Sequence, residues 1–291
     1  MNIKPYLLAV RPKTLTASIG PVLLGLFFSQ YEQGHLNFFI AVLTLLCTLF
    51  MQMGTNLVND YFDFKRGIDG ANRLGPTRAT QAGLIKPHLV KIAYQIIFGI
   101  SFMLGIFLMW HGGLPIVLIG LASLLAAYAY TGGPIPLSHY GLGEILALLF
   151  FGPIAVWGTY FLQTNSPDLT PLFLGLGPGL ISATIMGVNN LRDLKSDQAS
   201  GKFTLAVFLG EKKMKTLLMI FIFLSGALPI FYMLKMKKIT LILPFLALLL
   251  FRSNWKRIYI GPIDAGLNQA LAKTGQYMFI YGLLFGLGFI L

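Results

Sequence analysis

Long segments with almost no charge are the feature that most constrains this chain. Segment 145–162 contains no charged residue, and segment 214–234 contains only Lys215. A helix of about 20 apolar residues crosses the hydrocarbon core of a bilayer. Such segments recur along all 291 residues, of which 56% are hydrophobic and 11% charged. The sequence therefore predicts a single transmembrane domain over 1–291, with the lipid bilayer as its surroundings.

Hydropathy predicts an all-α membrane protein with about nine transmembrane helices. The predicted spans are 14–31, 36–59, 88–110, 114–131, 143–163, 170–190, 213–234, 238–252 and 272–291. The eighth span is short. Segment 253–271 contains Gly261, Pro262 and Gly266, which favour a loop or an interrupted helix.

The distribution of Lys and Arg predicts the orientation of these spans. With nine spans, 19 of the 22 basic residues lie on the side of the N-terminus, and Lys235, Lys237 and Lys238 lie opposite. Basic residues are enriched in cytoplasmic loops, so we expect a cytoplasmic N-terminus and a C-terminus outside. The net charge of +12 is then explained by basic residues in cytoplasmic loops and by their attraction to anionic lipid. We expect no nucleic-acid partner. Because Cys47 is the only cysteine, a disulfide within the chain is excluded.

Two short segments hold five of the ten acidic residues. Their residues are Asn56, Asn59, Asp60 and Asp63, with Asp69 beyond, and Asn189, Asn190, Asp193 and Asp197. The first set is spaced i, i+3, i+4, i+7, and Asn189, Asp193 and Asp197 are spaced i, i+4, i+8, so each predicts one helix face. Asn56 and Asn189 are 133 positions apart, as are Asp60 and Asp193. This register predicts an internal duplication in which spans two and six are equivalent.

A bland interpretation of either segment is a polar helix end that meets water. Two clusters in register favour a hard divalent cation, because magnesium prefers oxygen ligands and is commonly shared between carboxylates and substrate phosphates. Lys65, Arg66, Arg78, Arg192 and Lys202 lie close by in sequence and would neutralise phosphate oxygens.

A diphosphate held at a cavity open to lipid indicates a prenyl diphosphate. Magnesium would stabilise the leaving diphosphate, and aromatic rings would stabilise the allylic cation. The candidate aromatic residues are Tyr61, Phe62, Tyr128, Tyr130, Trp157 and Tyr160.

Four stretches carry a resemblance to a known family. They are NLVNDYFDFKRGID (56–69), YTGGPIPLSHYGLGE (130–144), FFGPIAVWGTYFLQ (150–163) and NNLRDLKSDQASGKFTLAVFL (189–209). Together they resemble the UbiA superfamily of intramembrane prenyltransferases, and within it the 1,4-dihydroxy-2-naphthoate polyprenyltransferases of menaquinone biosynthesis. The resemblance implies transfer of a polyprenyl group from polyprenyl diphosphate to this aromatic acceptor. Carbon dioxide and diphosphate would be lost and a demethylmenaquinol formed. We expect the chain in a bacterial inner membrane, and the distribution of Lys and Arg places the active site on the cytoplasmic side.

The resemblance also implies roles for individual residues. Asp60, Asp63, Asp193 and Asp197, helped by Asn56 and Asn190, would hold Mg²⁺ and diphosphate. Lys65, Arg78, Arg192 and Lys202 would contact the diphosphate. Asn59, Tyr61, Tyr130 and His139 would line the acceptor or prenyl pocket.

The chain departs from the family in one loop. Related sequences often place a Lys or Arg where this chain has Ser138 and His139, so His139 is the remaining candidate cation there. Glu144, or an aspartate that magnesium leaves free, is a candidate base for an acceptor proton.

Alternative functions stay open at this point. The same fold could use 4-hydroxybenzoate, homogentisate or haem as acceptor. A CDP-alcohol phosphotransferase would need a motif that Asp69-Gly-Ala-Asn-Arg73 does not supply. A cation-coupled transporter would carry ionisable residues near mid-membrane, whereas the acidic residues here lie at span ends.

Overall fold

The computed structural model describes residues 4–67 and 74–291; Asp69 and Arg73 of the predicted motifs lie outside these ranges. The described residues form helices and no strand, which confirms the all-α prediction. The α-helices are α1 Lys4–Val10, α2 Pro12–Gln33, α3 Phe38–Lys65, α4 Pro87–Ala129, α5 Gly143–Phe150, α6 Pro153–Thr164, α7 Thr170–Arg192, α8 Leu194–Ala199, α9 Leu205–Met236, α10 Leu243–Leu250, α11 Arg252–Ile260 and α12 Leu267–Ile290. Two short 3₁₀ helices occupy Leu137–His139 and Ile239–Ile242.

The length and composition of the helices show that the chain is an integral membrane protein. Among the described residues, five segments are long and apolar enough to cross a bilayer: α3, α4, α5 with α6, α7 and α9. A sixth candidate is the bent pair Ile239–Leu250 and Arg252–Ile260, whose two parts meet at 48°. Helical residues overlap every predicted range, but the count of nine spans and the orientation of the termini stay predictions.

Gly113 divides α4 between predicted spans three and four. Its φ of 64° and ψ of −154° are non-helical. This conformation is accessible to glycine because glycine has no Cβ. A straight helix of 43 residues would be about 65 Å long, roughly twice the thickness of a bilayer core. The break therefore supports two spans in this segment. Segment 253–271 is partly helical, because α11 ends at Ile260 before Gly261 and Pro262.

The core lies around the last helix, α12, which packs against α2 and α7. Fully buried aromatic side chains of α12 fill this region, including Tyr277, Tyr281 and Phe285. A Cβ at Gly282 would lie only 2.1 Å from the Gly20 carbonyl oxygen. Small residues allow such close backbone contact between membrane helices. This contact fixes α2 against α12.

One member of the Lys cluster on the predicted outer side, Lys238, has a structural role. The Lys238 ammonium donates a hydrogen bond to the Phe289 carbonyl at the end of α12, and it lies 5.1 Å from the centre of the Tyr31 ring. Cations stabilise helix C-termini, where carbonyls lack partners within the helix. Lys238 therefore closes the end of α12.

Candidate active site

A central cavity of about 490 Å³ brings the two Asn/Asp segments together. One part of its wall is polar and contains both segments. Apolar residues such as Leu108, Ile116, Ile119 and Leu162 form another part. The predicted site residues that line it are Asn56, Asn59, Asp63, Arg78, Tyr130, Arg192, Asp193, Asp197 and Lys202. Asp60, Tyr61, Lys65, His139 and Asn190 are not among the lining residues.

The end of α3 supplies the first polar wall. The carboxylate of Asp63 forms an ion pair with the guanidinium of Arg78, and both side chains are less than a tenth exposed. Asn59 accepts a hydrogen bond from the Thr131 hydroxyl. The amide of Asn56 donates to the Val10 carbonyl at 2.7 Å. The helix spacing therefore places Asn56, Asn59 and Asp63 on one cavity-facing side, as predicted.

Asp60 belongs to the same predicted face but is directed towards the loop that follows α3. Its Oδ2 accepts from the backbone nitrogen of Thr80 at 3.3 Å and from the Thr80 hydroxyl at 3.1 Å. Only 1% of Asp60 is exposed, and its Oδ1 has no hydrogen-bond partner among the described residues. Asp60 thus anchors loop 74–86 to α3, and its role as a metal ligand stays a prediction.

The second segment spans the junction of two helices, although the backbone nitrogen of Asp193 still bonds to the Asn189 carbonyl at 3.1 Å and that of Asp197 to the Asp193 carbonyl at 2.8 Å. Helix α7 ends at Arg192, and α8 begins at Leu194. Asp193 lies between them with φ −91° and ψ 8°. Asn189, Asp193 and Asp197 all line the cavity, in agreement with their i, i+4, i+8 spacing.

Arg192 and Asp193 form a bidentate ion pair. The Arg192 Nε lies 2.8 Å from Asp193 Oδ1, and Nη2 lies 2.5 Å from Oδ2. The side chains are 2% and 12% exposed, so water screens their attraction little. Arg192 is directed mainly at protein oxygens, and its predicted contact with diphosphate stays a prediction.

Asp197 lies in a buried position beside Lys202, whose ammonium is 3.5 Å from Asp197 Oδ1. Burial is the main cause that raises the pKa of Asp197 from 3.8 to about 6; the positive charge of Lys202 opposes this shift, and the negative charge of Asp193 contributes to it. Asp197 Oδ2 has no hydrogen-bond partner among the described residues. This carboxylate is costly to keep charged, which suits a group that binds a cation.

Two predicted residues lie behind the cavity wall. The amide of Asn190 donates to Glu144 Oε1 at 2.9 Å, and both residues are 2% exposed. This pair joins α5 to α7 inside the protein. Neither residue lines the cavity, so Glu144 is poorly placed to act as a base on a bound acceptor.

Three further predicted residues lie away from the cavity. Lys65 is exposed at the end of α3, and Tyr61 packs against Phe62 and Tyr94. Burial lowers the pKa of His139, and the positive charges of Lys202 and Arg66 lower it further. The imidazole is therefore largely neutral at pH 7, so His139 does not replace the missing cation.

Sequence reasoning missed two residues of this region. Arg11 lines the cavity at the start of α2, although its position in the sequence indicated only topology. Asn268, in the first turn of α12, accepts a hydrogen bond from Arg192 Nη1 at 2.8 Å. No sequence pattern singled it out.

The donor set fits magnesium, but the carboxylates do not form a ready-made ligand cluster. No group of three or more Asp, Glu, His or Cys side chains close enough to hold a metal occurs among residues 4–67 and 74–291. Carboxylate and carboxamide oxygens face one cavity from both segments. Magnesium usually takes one or two carboxylates and completes its ligands with water and substrate phosphates. The arrangement fits an ion that is bound together with a diphosphate.

Comparisons with known proteins identify a family. Residues 18–285 match the model of the UbiA prenyltransferase family. A 1,4-dihydroxy-2-naphthoate octaprenyltransferase of Haemophilus influenzae is 36% identical over 73% of this chain and 71% of its own length. The enzyme of the same name from Mycobacterium leprae is 29% identical over 96% and 93%.

Solved structures show the same fold. A UbiA homolog from Archaeoglobus fulgidus bound to Cd²⁺ superposes with a TM-score of 0.68 at 14% identity, covering 99% of this chain and 100% of that one. A structure of a UbiA homolog from the same organism bound to GPP and Mg²⁺ gives a TM-score of 0.61 at 15% identity, covering 97% and 99%.

Proposed function

This chain belongs to the UbiA prenyltransferase family, and we propose that it transfers a polyprenyl group from polyprenyl diphosphate to 1,4-dihydroxy-2-naphthoate with the help of Mg²⁺. The observation that carries the proposal is the single cavity in which both Asn/Asp segments meet a wall of apolar side chains. The acceptor is inferred from the names of the curated relatives. Family membership argues against the transporter alternative.

The polar wall would bind the diphosphate. Asp63, Asp193 and Asp197 would hold magnesium, which when bound stabilises negative charge on the leaving group. Each of these carboxylates now pairs with a cation. Arg78 and Lys202 both line the cavity, so either could turn from its carboxylate to a phosphate oxygen. Arg11 would add a third positive charge.

The apolar wall would hold the prenyl chain and keep water from the reacting carbon. Leu108, Ile116, Ile119 and Leu162 would bury a hydrocarbon chain at a gain of about 25 cal/mol per Å² of apolar surface. The ring of Tyr130 also lines the cavity. Its face would stabilise positive charge as the bond between the prenyl carbon and the diphosphate oxygen breaks.

Prenylation of the acceptor does not require a base that removes a proton from the ring. The ring carbon that bears the carboxylate would form the new bond to the prenyl carbon. The carboxylate would then leave as carbon dioxide, and its bonding electron pair would restore the aromatic ring. No hydrogen is removed from that carbon, which agrees with the position of Glu144 outside the cavity.

The test is turnover of the purified chain in detergent with Mg²⁺, a long-chain prenyl diphosphate and 1,4-dihydroxy-2-naphthoate, with product and carbon dioxide measured by mass spectrometry. We expect activity that EDTA abolishes and that Asp63→Asn and Asp193→Asn lower by at least about 100-fold. Asp168→Asn is the matched control, because Asp168 is an exposed acid at the opposite end of α7. Product with 4-hydroxybenzoate or homogentisate alone would refute the naphthoate assignment.

We further propose that the chain resides in a bacterial inner membrane with this cavity facing the cytoplasm. The proposal rests on the 19 basic residues that the nine-span arrangement places on that side. The internal duplication of spans two and six stays a proposal as well. It is supported by the way α3 and α7 present their segments to one cavity.

A further inference from the structure

Asn268 makes hydrogen bonds to both halves of the active site, although it is remote from each in sequence. Its Oδ1 accepts from Arg192 Nη1 at 2.8 Å. Its Nδ2 donates to the carbonyl oxygen of Leu74 at 2.7 Å. The two partners are 76 and 194 residues away. A single amide therefore joins the second Asn/Asp segment to the loop that follows the first.

The contact with Arg192 completes a set of hydrogen bonds that orients Asp193. Besides its two contacts with Asp193, the guanidinium donates to Asn189 Oδ1 at 2.9 Å from Nη2. Arg192 Nη1 donates to Asn268 Oδ1, on the side of the guanidinium that does not contact Asp193 or Asn189. The N–H groups of a guanidinium point in fixed directions in one plane. Partners on several sides therefore fix the plane of Arg192, and this plane sets the direction of the Asp193 carboxylate.

The hydrogen bond to Leu74 connects Asn268 to the first Asn/Asp segment through the loop that begins at Leu74. Leu74 lies four residues before Arg78, which pairs with Asp63. Thr80, two residues further on, binds Asp60. Asn268 thus holds the start of the loop that carries these partners. Asn268 lies one helical turn before Leu271. Leu271 lines the cavity, whereas Asn268 does not.

We propose that Asn268 is a positioning residue that sets the spacing between the two Asn/Asp segments, so that both can bind one metal–diphosphate group. The proposal rests on the proposed function. Asn268 touches neither substrate and acts through Arg192 and the Leu74 carbonyl. Loss of residues that orient metal ligands typically lowers metal affinity or activity by about 10- to 100-fold.

The test compares three variants of the full chain in detergent. Asn268→Leu has nearly the same size and removes both hydrogen bonds. Asn268→Asp keeps an acceptor for Arg192 and loses the donor to Leu74. Gln269→Leu changes the exposed neighbour in the same helical turn and is the control. The measurements are Mn²⁺ affinity in the presence of inorganic pyrophosphate, by electron paramagnetic resonance, and hydrogen exchange of the amides in 74–86.

We expect Asn268→Leu to weaken Mn²⁺ binding by about tenfold or more and to speed exchange in 74–86. Asn268→Asp should speed exchange there with a smaller loss of affinity, and Gln269→Leu should change neither. KM for the aromatic acceptor should stay within about twofold of the parent value, since the contacts of Asn268 are with the segments that bind metal and diphosphate.

The outcomes separate this inference from the proposed function. Unchanged Mn²⁺ affinity in Asn268→Leu, in a parent chain that binds Mn²⁺ with pyrophosphate, overturns the inference alone. A parent chain that binds no Mn²⁺ overturns the proposed function and the inference with it. Where Asn268→Leu does not fold, Asn268→Asp decides, and unchanged exchange together with unchanged affinity in that variant overturns the inference.

Discussion

Asp197→Asn should make the metal-free protein more stable while it destroys activity. Asp197 is 3% exposed, and burial raises its pKa from 3.8 to about 6. One pKa unit corresponds to about 1.4 kcal/mol, so a charged Asp197 costs the folded state up to about 3 kcal/mol above pH 6. Asparagine removes this cost, in which the attraction of Lys202 is already included, but it places an amide N–H group in the buried site. A net gain of about 1–2 kcal/mol is the expected result.

The pH dependence follows from the same shift. Because the folded pKa lies above the unfolded value, the folded state binds more protons between about pH 4 and 6. The contribution of Asp197 to stability therefore falls as pH rises through that window and is constant above it. Asn cannot titrate, so the difference in stability between Asp197→Asn and the parent should be small at pH 4.5 and reach its full size at pH 7.5.

The assay is thermal unfolding in detergent with EDTA at pH 4.5, 6 and 7.5, at one scan rate. At pH 7.5 we expect Asp197→Asn to unfold a few degrees higher than the parent chain, at about 2–4 °C per kcal/mol. Mn²⁺ with pyrophosphate should stabilise the parent and leave the variant unchanged. The exposed control Asp168→Asn should show no shift. A variant that is less stable than the parent at pH 7.5, or a difference independent of pH, would refute this reasoning.

Three further predictions concern binding, topology and packing. Arg78→Gln should raise KM for prenyl diphosphate about 10- to 100-fold in steady-state assays with little change in KM for the acceptor, because a charge-assisted hydrogen bond is lost; equal effects on both substrates would contradict this. In a chain without its native cysteine, Ala199→Cys should react with an impermeant maleimide only from the cytoplasmic side and Pro167→Cys only from outside; labelling of both from one side would refute the orientation. Gly282→Val should lower the unfolding temperature by several degrees, since its Cβ would lie 2.1 Å from the Gly20 carbonyl; unchanged thermal stability would show that the contact is not tight.

Much of the site could be predicted from spacing within single helices. Residues three, four or seven positions apart share a face of a helix whatever surrounds it. The sequence therefore predicted that Asn56, Asn59 and Asp63 share one side of α3, and the structure places that side along the cavity. After Arg192 a single residue, Asp193, interrupts the helix before α8, although the spacing of Asn189, Asp193 and Asp197 still brings all three to the cavity. No local signal marks that break, since neither glycine nor proline occurs in 188–200.

The sequence by itself determined that the chain is helical, that it lies in a membrane and that two acidic segments occur at helix ends, because hydropathy and helix period are local properties. Only the tertiary structure decided which side chains of each segment reach the cavity. Asp60 turns to Thr80 and Asn190 to Glu144, and neither lines the cavity, whereas Arg192 lines it and is held by Asn268. Each of these contacts joins residues 20 or more positions apart. Such partners meet only when the packing of all the helices sets the rotation and spacing of each one.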